Sequence, residues 1–166
     1  QSLLDALTIS DHFDDLTGLK VCIIGDILNS RVARSNIFTL KTLGAEITLC
    51  APKNMLPRKA RSLGVAVDHD IDNAILKKDV IMLLRVQNER HERVLMPTRE
   101  EYHNGYGMTQ ERFEALDDHC ILMHPGPVNH WVEVDPALLH HERCTVMAQV
   151  ENGIAVRMAL LYLLLG

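Results

Sequence analysis

The chain has 166 residues, of which 47% are apolar and 23% charged, and its formal net charge is -5 at pH 7. These values are typical of a soluble globular protein that folds as one domain. The excess of acidic residues argues against a basic surface for DNA or RNA. No uninterrupted apolar run reaches the ~18 residues of a membrane-spanning helix, and the first residues carry acids instead of a basic signal-peptide head. We therefore expect a cytoplasmic protein with neither nucleic acid nor a membrane as partner.

The cysteines and histidines form no recognisable metal or redox motif. The cysteines are Cys22, Cys50, Cys120 and Cys144. Their wide spacing, without a CxxC pair, predicts buried free thiols. His140 and His141 are neighbours, and neighbouring side chains diverge on any regular element, which disfavours a shared metal ion. We expect neither a metal site nor a cofactor.

The first half of the chain alternates between predicted helices and strands. The segment LKVCIIGD, for example, has the continuous apolar and β-branched character of a strand that is buried on both faces. In chain order the predicted elements are a helix at 2–9, a strand at 19–26, a helix at 31–43, a strand at 45–50, a helix at 57–63, a strand at 64–67, a helix at 72–77 and a strand at 79–85. This alternation predicts an α/β fold with a doubly wound, Rossmann-like parallel sheet and helices on both of its faces.

The second half begins with a polar stretch at 86–107, which predicts a long loop containing a short helix. The later predicted elements are a helix at 109–116 capped by Thr109, a strand at 120–124, a helical turn at 136–139 and a closing helix at 152–166. The closing helix is apolar almost all round, so it should be buried on most sides. This apolar surface exceeds the need of a small α/β domain, and we expect part of it to pack against something outside this chain.

Three loops that follow predicted strands carry the candidate site, because ligands of open parallel sheets bind outside the carboxyl ends of the strands. The loops are GDILNSRVARSN at 25–36, RVQNER at 85–90 and HPGP at 124–127. The first loop has a single glycine in place of G-x-G-x-x-G, which disfavours NAD and an oxidoreductase. It offers Arg31 at the start of a helix, where anions are favoured. With Arg85 and Gln87, Arg31 would form a clamp for carboxylates.

Each of these residues has a plainer interpretation when taken alone. An arginine at a strand end is usually a surface ion pair, and a Pro-Gly-Pro turn is usually only a rigid loop. By the same default, Arg34, Arg90 and Arg93 are expected to be solvated or structural. The hypothesis of a site depends on the three loops occurring together.

Four segments, GDILNSRVARSN, LLRVQNER, MHPGPVNH and QVENGIAVRMALLYLLLG, resemble in order and spacing those of bacterial aspartate carbamoyltransferases. The resemblance covers nearly the whole chain and implies transfer of the carbamoyl group of carbamoyl phosphate to the amine of L-aspartate. That reaction gives N-carbamoyl-L-aspartate and phosphate in pyrimidine biosynthesis. An ornithine carbamoyltransferase would be expected to have HCLP in place of HPGP, and an Asp-containing Ser-Met-Gly loop in place of YGMT. Arginines also suit a second carboxylate better than the ornithine side-chain cation.

For the aspartate side of the site, the resemblance implies that Arg31 and Arg85 hold the two carboxylates, with Gln87 beside them. No covalent enzyme intermediate is implied, because family catalysis depends on positioning and electrostatic stabilisation.

For the carbamoyl phosphate side, the resemblance implies that Gly126 and Pro127, with Pro125 adjacent, place backbone groups against the carbamoyl moiety. The opening QSLLDALT resembles the end of the family HPTQ segment, so Gln1 would be the last residue of that motif. No residue of the chain is assigned as catalytic, because the family groups that polarise the carbonyl lie upstream of Gln1.

The resemblance also implies a division of the chain. Residues 1–10 would be a remnant of the interdomain helix, residues 11–150 the aspartate-binding domain, and residues 151–166 a helix that packs toward an absent carbamoyl phosphate domain. The chain alone would then be inactive, and the complete enzyme would be a homotrimer, with or without regulatory or dihydroorotase chains. The alternatives are a non-catalytic carbamoyltransferase-like structural homologue and an ornithine-type carbamoyltransferase domain.

Overall fold

A computed structural model describes residues 1–86 and 98–166. Its α-helices are α1 (Ser2–Ser10), α2 (Arg31–Thr42), α3 (Ile71–Ala74), α4 (Arg99–Tyr106), α5 (Gln110–Glu114) and α6 (Val146–Leu165). Its strands are β1 (Lys20–Ile24), β2 (Glu46–Cys50), β3 (Ala66–Asp68), β4 (Val80–Leu83) and β5 (Ile121–Met123). Short 3-10 helices occupy Lys53–Met55, Ala60–Leu63 and Pro136–His140.

The five strands form one parallel sheet in the order β3-β2-β1-β4-β5. The chain therefore builds outward from β1 in one direction through β2 and β3, and then in the other direction through β4 and β5. The point of reversal lies between β1 and β4, where Val21 pairs with Val80 and Ile24 with Leu83. The predicted doubly wound sheet is confirmed, and its crevice for ligands should open at this reversal.

Alternate residues of each strand feed two hydrophobic cores, one on each face of the sheet. Val21 and Ile23 of β1 belong to the first core, which α1 and α2 cover. Cys22 and Ile24 belong to the second core, where α3 and α5 supply Ile71 and other side chains. Strands that are buried on both faces explain the continuous apolar runs in the sequence.

Two predicted helices differ from the structure. The segment predicted as a helix at 57–63 is a 3-10 helix at Ala60–Leu63, because its N–H groups bond to carbonyls three residues earlier. Gly64, with φ +69°, then ends it. The helix predicted at 72–77 is the single turn α3, capped by the Asp70 side chain. The left-handed Lys77, with φ +55°, redirects the chain into β4.

Two details of local sequence chemistry are confirmed. Thr109 caps α5 by accepting a hydrogen bond from the Arg112 N–H. All four cysteines are free thiols, with three buried and Cys144 half-buried.

Among residues 1–86 and 98–166, no group of three or more His, Cys, Asp or Glu side chains is arranged to hold a metal ion.

The closing helix α6 begins at Val146, six residues before its predicted start, and only its first half is packed. Gln149 and Gly153 are buried against α1, whereas Tyr162 and Leu164 are 77% and 79% exposed. Within the described residues, α6 is the only helix long and apolar enough to cross a membrane, judged by length and composition alone. The expectation that α6 is buried on most sides is wrong within this chain.

Candidate functional site

The ends of β1 and β4 approach each other closely at the reversal of the sheet. The Leu84 N–H donates to the Ile24 carbonyl at 2.8 Å. Gly25 follows with φ +130°, and a Cβ on it would lie 2.9 Å from both Cβ and O of Leu84. A side chain there would collide with backbone, so the single glycine of the first loop allows close contact between strands. The loops that carry Arg31 and Arg85 therefore leave the sheet from adjacent strands.

Arg31 is the first residue of α2, and its side chain is exposed. The preceding Ser30 caps the helix, because its hydroxyl accepts from the Ala33 N–H at 3.0 Å. The loop before it is held by the buried Asp26, which accepts from the Asn29 side-chain amide at 3.1 Å. The sequence thus places the Arg31 guanidinium at the amino terminus of α2. The polar side chains of the preceding loop hold that loop in place.

Arg34 lies one turn further along α2 and takes no part in this arrangement. It lines a separate groove with Phe38 and Leu63 on the outer side of the helix, which fits the default expectation of a structural or solvated residue.

Arg85 is half-buried immediately after β4. Its charge contributes to the environment of His124, whose pKa it helps to lower, so the two residues lie near each other. Gln87, the third member of the predicted carboxylate clamp, lies outside the described residues, as do Arg90 and Arg93.

A buried carboxylate that the sequence analysis missed connects the loops after β4 and β5. Glu133 is 1% exposed. Its Oε1 accepts from the Val86 N–H at 2.7 Å and from the Asn129 side-chain amide at 2.8 Å. Its Oε2 accepts from the Asn129 N–H at 2.7 Å. Burial raises the pKa of Glu133, and these hydrogen bonds oppose the rise. Glu133 therefore holds the residue next to Arg85 against the loop that follows β5.

His124 opens the HPGP loop and is 2% exposed. Its Nδ1 accepts from the Gly126 N–H at 2.9 Å, so the neutral ring carries its proton on Nε2. That atom lies 3.8 Å from Glu133 Oε2, beyond hydrogen-bond range. Burial, with the charge of Arg85 as second cause, lowers the pKa of His124 to about 4. At neutral pH His124 is an uncharged support of the loop.

Three of the remaining predicted site residues line one small cavity. Gln1, Pro125 and Gly126 line a space of about 190 Å³, together with His124 and Gln149. Pro127 follows a cis peptide bond after Gly126 and is exposed outside this lining. The structure thus brings Gln1 of α1 to the loop after β5, although 124 positions or more separate them in the chain.

The residues missed by sequence reasoning share one feature, which is a polar side chain inside an apolar run. Glu133 lies in WVEV and Asp5 in LLDALT, and both are buried in the structure. A lone acid in such a run is a usable signal, because a buried charge requires partners.

Comparison with known proteins gives consistent results. Residues 17–164 match the family model described as aspartate/ornithine carbamoyltransferase, Asp/Orn binding domain. A protein of Acidothermus cellulolyticus, named aspartate carbamoyltransferase catalytic subunit, is 49% identical over 166 residues, which are 100% of this chain and 51% of that protein. The protein of the same name from Syntrophobacter fumaroxidans is 46% identical over 164 residues, covering 99% of this chain and 54% of that protein. The chain thus spans about half the length of these relatives.

Solved structures agree on the fold. Ornithine carbamoyltransferase of Thermus thermophilus superposes with a TM-score of 0.84 at 23% identity, over 99% of this chain and 54% of that one. Aspartate transcarbamoylase of Trypanosoma cruzi, in complex with phosphate, gives a TM-score of 0.80 at 24% identity, over 97% and 55% of the two chains. The matched family model, the relatives and the shared fold together show that this chain belongs to the aspartate/ornithine carbamoyltransferase family, as its Asp/Orn-binding domain.

Proposed function

We propose that this chain is the aspartate-binding part of an aspartate carbamoyltransferase. The observation that carries the proposal is the position of two arginines, Arg31 and Arg85, on loops that leave adjacent strands at the reversal of the sheet. L-Aspartate carries two carboxylates, and a guanidinium offers each of them a planar pair of donors. The names of the sequence relatives point to the same acceptor substrate.

In the proposed reaction the amine of aspartate attacks the carbonyl carbon of carbamoyl phosphate. A new C–N bond forms, the C–O bond to phosphate breaks, and phosphate leaves, taking the proton that the amine releases. The arginines orient the nucleophile, which converts an encounter of two molecules into a reaction within one complex. The cavity shared by Gln1, Pro125 and Gly126 supports a position for the carbamoyl group beside Gln1 and the loop at 125–127.

We also propose the division of the chain stated above, with residues 11–150 as the aspartate-binding domain. Residues 1–10 comprise Gln1 and helix α1, which packs on α6, and Asn152 of α6 donates to Thr8 at 3.0 Å and to Asp11 at 2.7 Å. The exposed apolar end of α6, within residues 151–166, is then the surface that meets a carbamoyl phosphate domain. That domain would supply the groups that polarise the carbonyl, so this chain alone would not make carbamoyl aspartate.

The complete enzyme is proposed to be a cytoplasmic homotrimer, alone or with regulatory or dihydroorotase chains. The support for the trimer is the resemblance to bacterial aspartate carbamoyltransferases, whereas the uncovered apolar surface of α6 is assigned to the contact with the carbamoyl phosphate domain: Met158 is 66% exposed and Leu165 80% exposed.

The test is steady-state kinetics of the natural full-length protein that contains this chain, with aspartate and ornithine offered as alternative acceptors. Arg85→Ala is expected to lower kcat/KM for aspartate by about 100-fold or more, since charge-assisted hydrogen bonds contribute roughly 1.5 to 3 kcal/mol each. Arg31→Ala should behave likewise. Arg85→Lys should recover little of the loss, because an ammonium lacks the planar fork.

Arg34→Ala is the matched control, as Arg34 lies on the same helix as Arg31 but on another groove, and less than about a threefold change is expected. Near-normal aspartate kinetics in folded Arg31→Ala and Arg85→Ala variants would refute the clamp. If the unmodified protein carbamoylates ornithine in preference to aspartate, the acceptor substrate is ornithine and the proposal of an aspartate acceptor is wrong.

A further inference from the structure

A buried carboxylate on α1 gathers hydrogen bonds from three parts of the fold. Asp5 has no exposed surface. Its Oδ1 accepts from the side-chain amides of Gln1 at 2.9 Å and Gln149 at 2.8 Å. Its Oδ2 accepts from the side-chain amide of Asn36 at 2.7 Å. We call these four residues the Asp5 cluster.

The donors in the Asp5 cluster connect to two parts of the candidate site, namely the cavity beside the HPGP loop and helix α2. Gln1 lines the cavity that it shares with the HPGP loop. Gln149 of α6 lines the same cavity, and its Oε1 accepts from the His124 N–H at 2.9 Å. Asn36 lies on α2, the helix that begins with Arg31. One carboxylate thereby contacts two side chains that line the cavity and one side chain of α2, Asn36, which also donates to the Val32 carbonyl next to Arg31 at 3.2 Å.

A carboxylate also fixes which way the amides around it point. Ionised Asp5 only accepts hydrogen bonds, so every amide that faces it must present nitrogen and turn its oxygen elsewhere. For Gln149 that oxygen bonds to the His124 N–H. For Gln1 the oxygen must turn away from Asp5, and Gln1 is one of the residues that line the cavity. An acceptor at this place suits the N–H groups of a carbamoyl moiety.

We propose that Asp5 is a positioning residue for the carbamoyl phosphate side of the site, acting through the amides of Gln1 and Gln149. The inference rests on the proposed function, which supplies the ligand of this cavity. Asp5 itself lies behind Gln1, with its carboxylate saturated by side chains of this chain, and it is not assigned contact with substrate.

The chemistry of the cluster supports a role beyond packing. Burial raises the pKa of Asp5, while the hydrogen bonds from Asn36, Gln149 and Gln1 oppose the rise. A buried charge is a costly way to hold helices together, and apolar side chains of similar size often serve equally well. What an apolar residue cannot do is orient two glutamine amides at once.

The experiment uses the natural full-length protein that contains this chain and measures KM for carbamoyl phosphate and for aspartate separately. Asp5→Ala is expected to raise KM for carbamoyl phosphate by about 10-fold or more, the effect of losing one charge-assisted hydrogen bond in the site. The change in KM for aspartate should be smaller. Asp5→Asn should rescue most of the loss, because its oxygen still accepts from both glutamines. The new NH2 group would face Asn36. The Oδ1 of Asn36 is buried with no hydrogen-bond partner among the described residues, and it can accept from this NH2 group once the Asn36 side-chain amide rotates.

The control is Asp11→Asn, which alters the other acidic contact between α1 and α6, namely the bond from Asn152 at 2.7 Å. Asp11 is exposed and far from the cavity lining, so both KM values should stay within about twofold of the unmodified protein. If Asp5→Ala does not fold, Asp5→Ser carries the same test, because its hydroxyl is polar but one bond too short to replace the carboxylate.

A double-mutant cycle separates positioning from stability. In a Gln1→Ala background the effect of Asp5→Ala on KM for carbamoyl phosphate should be clearly smaller than in the unmodified protein, since one of the two amides that Asp5 orients is gone. Equal effects in both backgrounds, or equal effects on the two substrates, would assign Asp5 a structural role and overturn the proposal.

Failure of the two proposals is distinguishable. An unmodified protein that carbamoylates neither aspartate nor ornithine removes the proposed function and this inference together. An active protein whose Asp5 variants keep a normal KM for carbamoyl phosphate removes this inference alone.

Discussion

Replacing Glu133 should loosen the connection between the loops that follow β4 and β5. Glu133 is 1% exposed and accepts hydrogen bonds from two backbone N–H groups and one side-chain amide, at 2.7 to 2.8 Å. Glu133→Ala removes both acceptor oxygens, and with them all three hydrogen bonds, and leaves the N–H groups of Val86 and Asn129 buried or half-buried without this partner. Because Val86 follows Arg85 directly, the change should also shift a residue of the proposed carboxylate clamp.

The magnitude follows from the three hydrogen bonds and the cost that opposes them. Hydrogen bonds to charged groups contribute roughly 1.5 to 3 kcal/mol each. Removing the carboxylate also removes the cost of burying its charge, which is the cost that raises the pKa of Glu133, and this offsets part of the loss. We expect a net loss of about 3 to 5 kcal/mol in the free energy of unfolding. Glu133→Gln keeps the Oε1 acceptor and sets its NH2 group against the Asn129 N–H, so it should cost about 1 to 2 kcal/mol.

The assay is urea unfolding at pH 7, followed by circular dichroism, for the unmodified protein and both variants. Glu142→Gln is the control, because Glu142 is exposed, and a change within about 0.5 kcal/mol is expected. In the natural full-length protein the same substitutions should raise KM for aspartate, most for Glu133→Ala and less for Glu133→Gln. If Glu133→Ala unfolds at the same urea concentration as the unmodified protein, the three hydrogen bonds do not hold these loops.

Two further predictions concern pH and assembly. Because burial lowers the pKa of His124 from 6.5 to about 4, the unfolded chain binds a proton there that the folded chain does not, and stability falls as pH drops from about 6.5 to about 4. His124→Asn keeps an acceptor for the Gly126 N–H but cannot take up a proton. The free energy of unfolding should therefore differ less between pH 7 and pH 4.5 in this variant, by about 2 kcal/mol. Parallel plots of unfolding free energy against pH for the two proteins would contradict this. Sedimentation of the natural full-length protein at micromolar concentration should give a trimer or a multiple of it, and a stable monomer would exclude the proposed assembly.

The fold was predictable because its strongest signals are local. Each strand of the parallel sheet is an apolar run ended by polar or turn residues, and α2 combines a capping serine with a helical apolar face. The errors fall where local signals are weak. Whether residues 57–63 form an α-helix or a 3-10 helix depends on which carbonyl accepts each N–H, and one short turn with Pro57 before it fits either pattern.

The candidate site was predictable only in part. Arg31 and Arg85 follow strands, and the rule that ligands bind at strand ends selects them without any knowledge of distant contacts. Asp5 and Gln149 could not be paired in this way, because 144 positions separate them and no local pattern shows which donors converge on a buried acid. Glu133 could be suspected from its apolar neighbours, but not its bond to Val86, 47 positions away.

Buried acids support the loops of the proposed anion-binding crevice from inside the fold. The loops of the site must be rigid, and the space for substrate must stay open. Side chains that bond to the loops from the interior of the fold satisfy both requirements. Asp26 holds the loop after β1, Glu133 holds the loops after β4 and β5, and Asp5 connects α1, α2 and α6. In each case the carboxylate faces N–H groups of this chain. These carboxylates are therefore hydrogen-bonded inside the fold, where they support the loops of the proposed site, and the proposed contribution of Arg31 and Arg85 is positive charge toward a dicarboxylate.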